Sequence, residues 1–161
     1  MMEFDLIGYR YSPDELGLIA DLLGYDGIDI LHISVPGGIE NAIARSSLEN
    51  AGLLMEMDTE QGIDEVTALL AGSLCSAETY ITVSGEGIDF VLLHPDGFYL
   101  MAQRIADGYV LKPARTADEL TDEISDAMSG KTGITAILVK PGRTSVFVTD
   151  TGGILGLVKI L

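Results

Sequence analysis

The chain has one cysteine, two histidines, no tryptophan and only nine basic residues among its 161. Each scarcity removes a class of function. Cys75 alone cannot close an internal disulfide or complete a multi-cysteine zinc site, and a lone thiol fits a reducing compartment. Nine cations stand against 25 acids, for a formal net charge of −16 at pH 7. A surface of that sign repels phosphate, so neither nucleic acid nor an anionic membrane is an expected partner. No apolar run approaches the roughly 20 residues that a membrane helix needs. The opening MMEFDLIGYRY is acidic and alternating, unlike a basic-then-apolar secretory leader. A cytoplasmic location is expected.

What the chain does have is apolar content, at 47% of residues. Disorder is therefore excluded, and the length suits a single domain over residues 1–161 with a substantial core. The charge is unevenly placed. Residues 1–103 hold 18 acids against Arg10 and Arg45 alone, while residues 104–161 hold seven of each sign.

Along the chain, Glu3 to Tyr9 alternate and suggest a short strand. Ser12-Pro13-Asp14-Glu15 combines a capping residue, a proline suited to the first helical turn and a capping-box glutamate. Leu16, Ile19, Ala20, Leu22 and Leu23 form the apolar stripe of that helix, and Gly24 ends it. Ile28 to Val35 follow as an extended apolar segment. After Pro36-Gly37-Gly38, a second helix from Ile39 carries Ile43, Leu48 and Ala51, and Gly52 closes it. Leu53 to Met57 read as a strand, with a turn at residues 58–62. A third helix from Asp64 to Cys75 turns Val66, Leu69, Leu70 and Leu74 inward.

The middle reads as a β-meander: Tyr80–Val83, Ile88–Leu93, Phe98–Ile105 and Tyr109–Lys112, separated by glycine-containing turns. Thr116 and Glu119 form a second capping box, opening a helix with Leu120, Ile124 and Met128 on its apolar side. Three further strands are expected at Ile134–Lys140, Ser145–Thr149 and Ile154–Leu161. Hairpin-linked strands with helices in separate blocks imply an α+β fold on an antiparallel meander sheet, with helices packed on it.

No residue set completes a catalytic constellation. Gly130-Lys131-Thr132 resembles the end of a phosphate loop, but the glycine required five residues earlier is Ser125, and the motif follows a helix instead of a strand. Asp58, Glu60 and Asp64 fail the calcium-loop pattern, because the sixth position is Ile63 and the twelfth Leu69. His32 and His94 lack metal ligands at suitable spacing. Either could serve an enzyme only through a base or acid brought close by folding. Cys75 reads as a small buried hydrophobe. The pairs Asp118/Glu119 and Asp122/Glu123 read as a solvated helix face, with docking of a basic partner as the alternative. No cofactor and no metal site is expected, and the sequence identifies no small-molecule ligand.

The helix from Ile39 followed by a strand and turn has the order of a winged-helix recognition helix and wing. A DNA reader needs cations there. This segment offers Arg45 against Glu40, Glu49, Glu56, Asp58 and Glu60, so a winged-helix shape would serve regulation or structure without touching DNA.

The helix Asp14 to Gly24 resembles the opening of EspG-like proteins, which are associated with type VII (ESX) secretion. Ala44-Arg45-Ser46-Ser47-Leu48, then Ala51-Gly52-Leu53-Leu54, the helix to Leu74, the meander and the helix near residue 120 are similar to a single half of that two-halved fold. The resemblance implies a non-enzymatic cytosolic chaperone or adaptor. Because the chain has the length of one half, it implies pairing of two copies. The expected seam is the apolar last strand, with Ile154, Leu155, Leu157, Val158, Ile160 and Leu161 as partner-binding residues. The function expected from the sequence is thus a protein-binding adaptor acting as a homodimer.

Overall fold

The computed structural model describes residues 8–56 and 61–161. It confirms the α+β class, with five α-helices and an antiparallel seven-stranded sheet among the described residues. The single domain expected from length divides into two compact units, neither of them continuous in sequence. One comprises Ala77–Ile105 and Val110–Leu161 with the described chain up to Tyr9; the other comprises Arg10–Ser76 and Ala106–Tyr109.

The first unit is built on the meander. Strands β6 (Tyr80–Gly85), β7 (Ile88–Leu93), β8 (Tyr99–Ile105) and β9 (Gly108–Ala114) are followed by α4 (Ala117–Met128), β10 (Ile134–Lys140), β11 (Arg143–Thr149) and α5 (Thr151–Val158). The short β1 (Tyr9–Tyr11) lies beside β9, and the sheet order is β1-β9-β8-β7-β6-β10-β11. Strand β10 pairs antiparallel with β6, Ala136 opposite Val83 and Leu138 opposite Ile81. Its other side takes β11, Ala136 opposite Phe147 and Lys140 opposite Arg143. One sheet face contributes Ile81, Val83, Phe90, Leu92, Met101, Ile134, Ala136 and Leu138 to a core closed by Leu120, Ile124 and Met128 of α4.

The second capping box forms in a modified way. The Glu119 amide donates to Thr116 Oγ1 at 3.2 Å, but the Glu119 carboxylate accepts from the Arg115 amide instead of the capping residue's own.

The last expected strand, Ile154–Leu161, is instead the helix α5 and a short tail. Asp150 caps it, its carboxylate accepting from the Gly153 amide at 3.0 Å. Ile154, Leu157 and Val158 stand at i, i+3 and i+4 and are buried, so the packed face outweighs three glycines of poor helix propensity. The sequence concealed this because a short run rich in Ile, Leu and Val fits a buried strand equally well. Gly153 sits so close to Thr149 that a β-carbon would overlap the threonine side chain, whereas Gly156 faces open space.

In the second unit, α1 (Pro13–Leu22) is followed by the two-residue strands β2 (Gly27–Ile28) and β3 (Ile33–Ser34), with a 3-10 turn between them. Then come α2 (Gly38–Asn50), the hairpin β4 (Leu54–Glu56) and β5 (Gln61–Ile63), and α3 (Glu65–Ser76). The strand expected at Glu3–Tyr9 lies largely outside the described residues. The predicted capping box opens α1: Ser12 Oγ accepts from the Glu15 amide and Glu15 Oε1 from the Ser12 amide. The second oxygen of the same carboxylate accepts from Ser47 Oγ on α2 at 3.0 Å. One side chain thus caps the start of one helix and ties it to another.

Residues Leu16 to Ala20 of α1 are all buried, because α2, α3 and β2–β3 pack around it. Two expected core faces shift. On α2, Ala44 and Leu48 are buried while Ile43 faces outward. On α3, Thr67 enters the core and Leu69 leaves it. Thr67 is admitted because its hydroxyl shares a 2.7 Å hydrogen bond with that of Tyr11, which satisfies both buried groups.

The helical reading of the last segment predicts opposite effects at two glycines. Gly156→Ala should stabilise the protein by about 0.5–1 kcal/mol, the usual gain in an exposed helix interior. Gly153→Ala should destabilise it, because Thr149 must move. Urea unfolding of both variants checks the pair; equal and opposite signs to these would return the segment to a strand.

Candidate functional site

The sheet ends at β11, whose outer edge has no neighbouring strand among the described residues. An edge strand presents unpaired N–H and C=O groups in a row, which is a template for another strand. Proteins ordinarily blunt such edges with lysines, prolines or bulges. Here Thr144 to Thr149 contain none of these, and the register with β10 runs unbroken over all seven pairs.

Side chains on both faces of this edge are apolar. Val146 and Val148 are 64% and 74% exposed, and Phe147, on the opposite face, is 39% exposed. The hairpin from Ile134 to Thr149 contains no acidic residue; its charges are Lys140 and Arg143. On a chain of net charge −16, this is a segment where an acidic body can be approached without carboxylate meeting carboxylate.

The residues expected as a seam at the end of the chain form helix α5 and its tail instead of a strand. Ile154, Leu157 and Val158 point into the core of their own unit, with Leu155 and Leu161 packed against it and half-buried. Ile160 is exposed. These residues do not form an edge strand, and β11 supplies the edge instead. Sequence reading found this strand but not its position at the rim. The available signal was Val146-Phe147-Val148, an apolar run on both parities where a half-buried strand would alternate.

The other candidate residues are dispersed. Lys131 of the phosphate-loop look-alike donates through Nζ to the Glu86 carbonyl at 2.7 Å, bracing the β6–β7 turn. The motif follows α4, and Ser129 and Gly130 take positive φ values of 46° and 71° to end that helix. Asp58 and Glu60 lie outside the described residues. Asp64 accepts from the Thr67 amide at 3.0 Å and caps α3. His32 is exposed and ends the 3-10 turn at φ 55°. His94 stacks on Tyr99, ring centroids 3.9 Å apart and 10° from parallel. Among the described residues no three His, Cys, Asp or Glu side chains are grouped to hold a metal ion.

The acidic face of α4 exposes Asp118, Glu119 and Asp122, while Glu123 pairs with Lys112 on β9 at 3.2 Å. Helix α2 exposes Ile39 and Ile43, one turn apart, with the acidic Glu40 and Glu49 also exposed on the helix. The β4–β5 hairpin follows it in the order expected of a helix and wing.

No protein-family model matches the sequence, and no curated protein matches it.

Cys75 ends α3 half-buried, its thiol directed at the Gly27 carbonyl with Sγ 3.7 Å from the oxygen. Burial, and then the negative charge of Asp29, push its pKa up from 9.0 to about 11. Both causes disfavour the thiolate. The folded protein should therefore react with iodoacetamide at pH 8 about a hundredfold more slowly than an unperturbed cysteine, from a tenfold lower thiolate fraction per pH unit. The neutral thiol favours folding fully below pH 9, and that contribution fades as the pH rises towards 11. A rate at pH 8 equal to that of the urea-unfolded chain would contradict this environment.

Proposed function

We propose that this chain is a non-enzymatic protein-binding module of adaptor or chaperone-like type, acting as a homodimer through the β11 edge. The observation that carries the reading is the open, unblunted β11, with exposed Val146, Phe147 and Val148 and no acid in its hairpin. Strand addition satisfies the free backbone groups of such an edge and takes its specificity from alternate side chains. A second copy of β11 is a suitable occupant. In an antiparallel pairing centred on Phe147, Val146 of each copy meets Val148 of the other. Such cross-strand pairs contribute about 0.2–1 kcal/mol each. The remaining surface of each copy is acidic, so the hairpin is where two such chains repel least. The link to type VII secretion rests on the sequence resemblance to EspG-like proteins.

A second reading has its own observation. Helix α2 with its exposed Ile39 and Ile43, followed by the β4–β5 hairpin, fits a winged-helix-derived regulatory or structural unit. Its acidic flanks suit a protein partner with apolar and basic groups, not DNA.

A seam of one strand is small, so the expected dissociation constant is on the order of 1–100 µM. Light scattering over that range should show monomer giving way to dimer. Added salt should strengthen the dimer, because it screens the repulsion between two acidic bodies. Val146→Lys and Val148→Lys should each return the protein to monomer with unchanged circular dichroism. A monomer at every concentration would sink the homodimer, and a dimer untouched by both substitutions would move its seam elsewhere.

A further inference from the structure

The turn of the β10–β11 hairpin sets two cations against each other. Lys140 and Arg143 are its closing pair, directly opposite across the two-residue turn Pro141-Gly142. Like charges facing across strands are destabilising. Neither side chain has a carboxylate or hydrogen-bond partner among the described residues. Two other cations of the same unit have partners: Lys112 pairs with Glu123 and Lys131 binds the Glu86 carbonyl.

Both side chains belong to the sheet face that carries α5. Beside them on that face the next cross-strand pair is Leu138 and Ser145, followed by Phe147 on β11. Together with Ile160 beyond α5, these residues line an open pocket of about 210 Å³. The lining is divided by chemistry. Lys140, Arg143 and the Ser145 hydroxyl form one end; Leu138, Phe147 and Ile160 supply apolar wall.

We infer that this pocket binds a small organic monoanion with a short apolar body, such as a short-chain carboxylate. A carboxylate placed between Lys140 and Arg143 turns a repulsive pair into two charge-assisted contacts, the arginine offering a two-pronged donor and the lysine a compact charge. The Ser145 hydroxyl can donate to the same group. The pocket has room for a ligand of about six to nine non-hydrogen atoms. An alkyl chain of that size covers Leu138, Phe147 and Ile160, whereas an inorganic anion leaves them wet. This site shares Phe147 with the proposed seam, but its charged end is the hairpin turn and not the free β11 backbone.

The test is a titration of the full-length chain with hexanoate, followed by amide shifts in ¹H–¹⁵N spectra. Hexan-1-ol, hexylammonium and inorganic phosphate are run alongside. Hexanoate should shift residues 138–147 and Ile160 and saturate with a dissociation constant on the order of 1 mM or below. Hexan-1-ol and phosphate should bind at least tenfold more weakly, and hexylammonium not at all. The exposed-end substitutions Lys140→Gln and Arg143→Gln together should weaken hexanoate at least tenfold. Circular dichroism of that variant should remain that of the parent. Equal binding of hexan-1-ol or phosphate, retention of hexanoate by the double variant, shifts elsewhere, or no binding at about 10 mM would each overturn the assignment. A change in dimerisation without a change in hexanoate binding would bear on the β11 seam alone.

Discussion

Strand β10 joins the meander beside β6, and that non-local pairing sets which edge of the first unit's sheet is left open at this end. It converts a four-strand meander with a free β6 edge into a sheet whose rim is β11. It also carries the chain back to the face already covered by α4, so α5 closes the same core instead of extending the sheet. The antiparallel geometry makes the consequence unavoidable. Each strand satisfies its neighbour's backbone groups, and the last strand is left with one side open. The exposed apolar residues and the unmatched cations both belong to that last hairpin.

Charge decides what can use the opening. Twenty-five acids make the body repellent to phosphate and to copies of itself, while the β10–β11 hairpin carries only Lys140 and Arg143. A strand edge with exposed valines is an aggregation hazard on a neutral protein. On a strongly acidic one the surrounding repulsion opposes unspecific stacking. The cations at the turn are the only charges of that hairpin.

Much of the fold was legible in the sequence, for identifiable reasons. Ser12 and Glu15 specified a helix start because capping is local chemistry, readable within four residues. The meander was legible because its strands are rich in β-formers and broken by Gly-containing turns. What failed were features decided by tertiary contact. Ile43 reads as core by periodicity, yet α2 turns Ala44 and Leu48 inward. Thr67 enters the core because Tyr11, far away in sequence, supplies its hydrogen bond. The run from Ile154 became a helix because Asp150 caps it and its i, i+3, i+4 face finds the α4 side of the sheet. The open edge was half legible: β11 was found as a strand, but strand order is not written in local pattern. The pairing of Lys140 with Arg143 followed from register and could be seen only once the hairpin was closed.

The central claim is that the free side of β11 is a pairing surface. Amide hydrogen exchange of the intact chain, resolved by residue and repeated from dilute to concentrated solution, tests it most directly. The outward-facing amides of Thr144 to Thr149 should exchange fast in dilute solution and become protected as concentration rises, while the amides bonded to β10 stay protected throughout. Outward amides that exchange equally fast at every concentration would contradict the account.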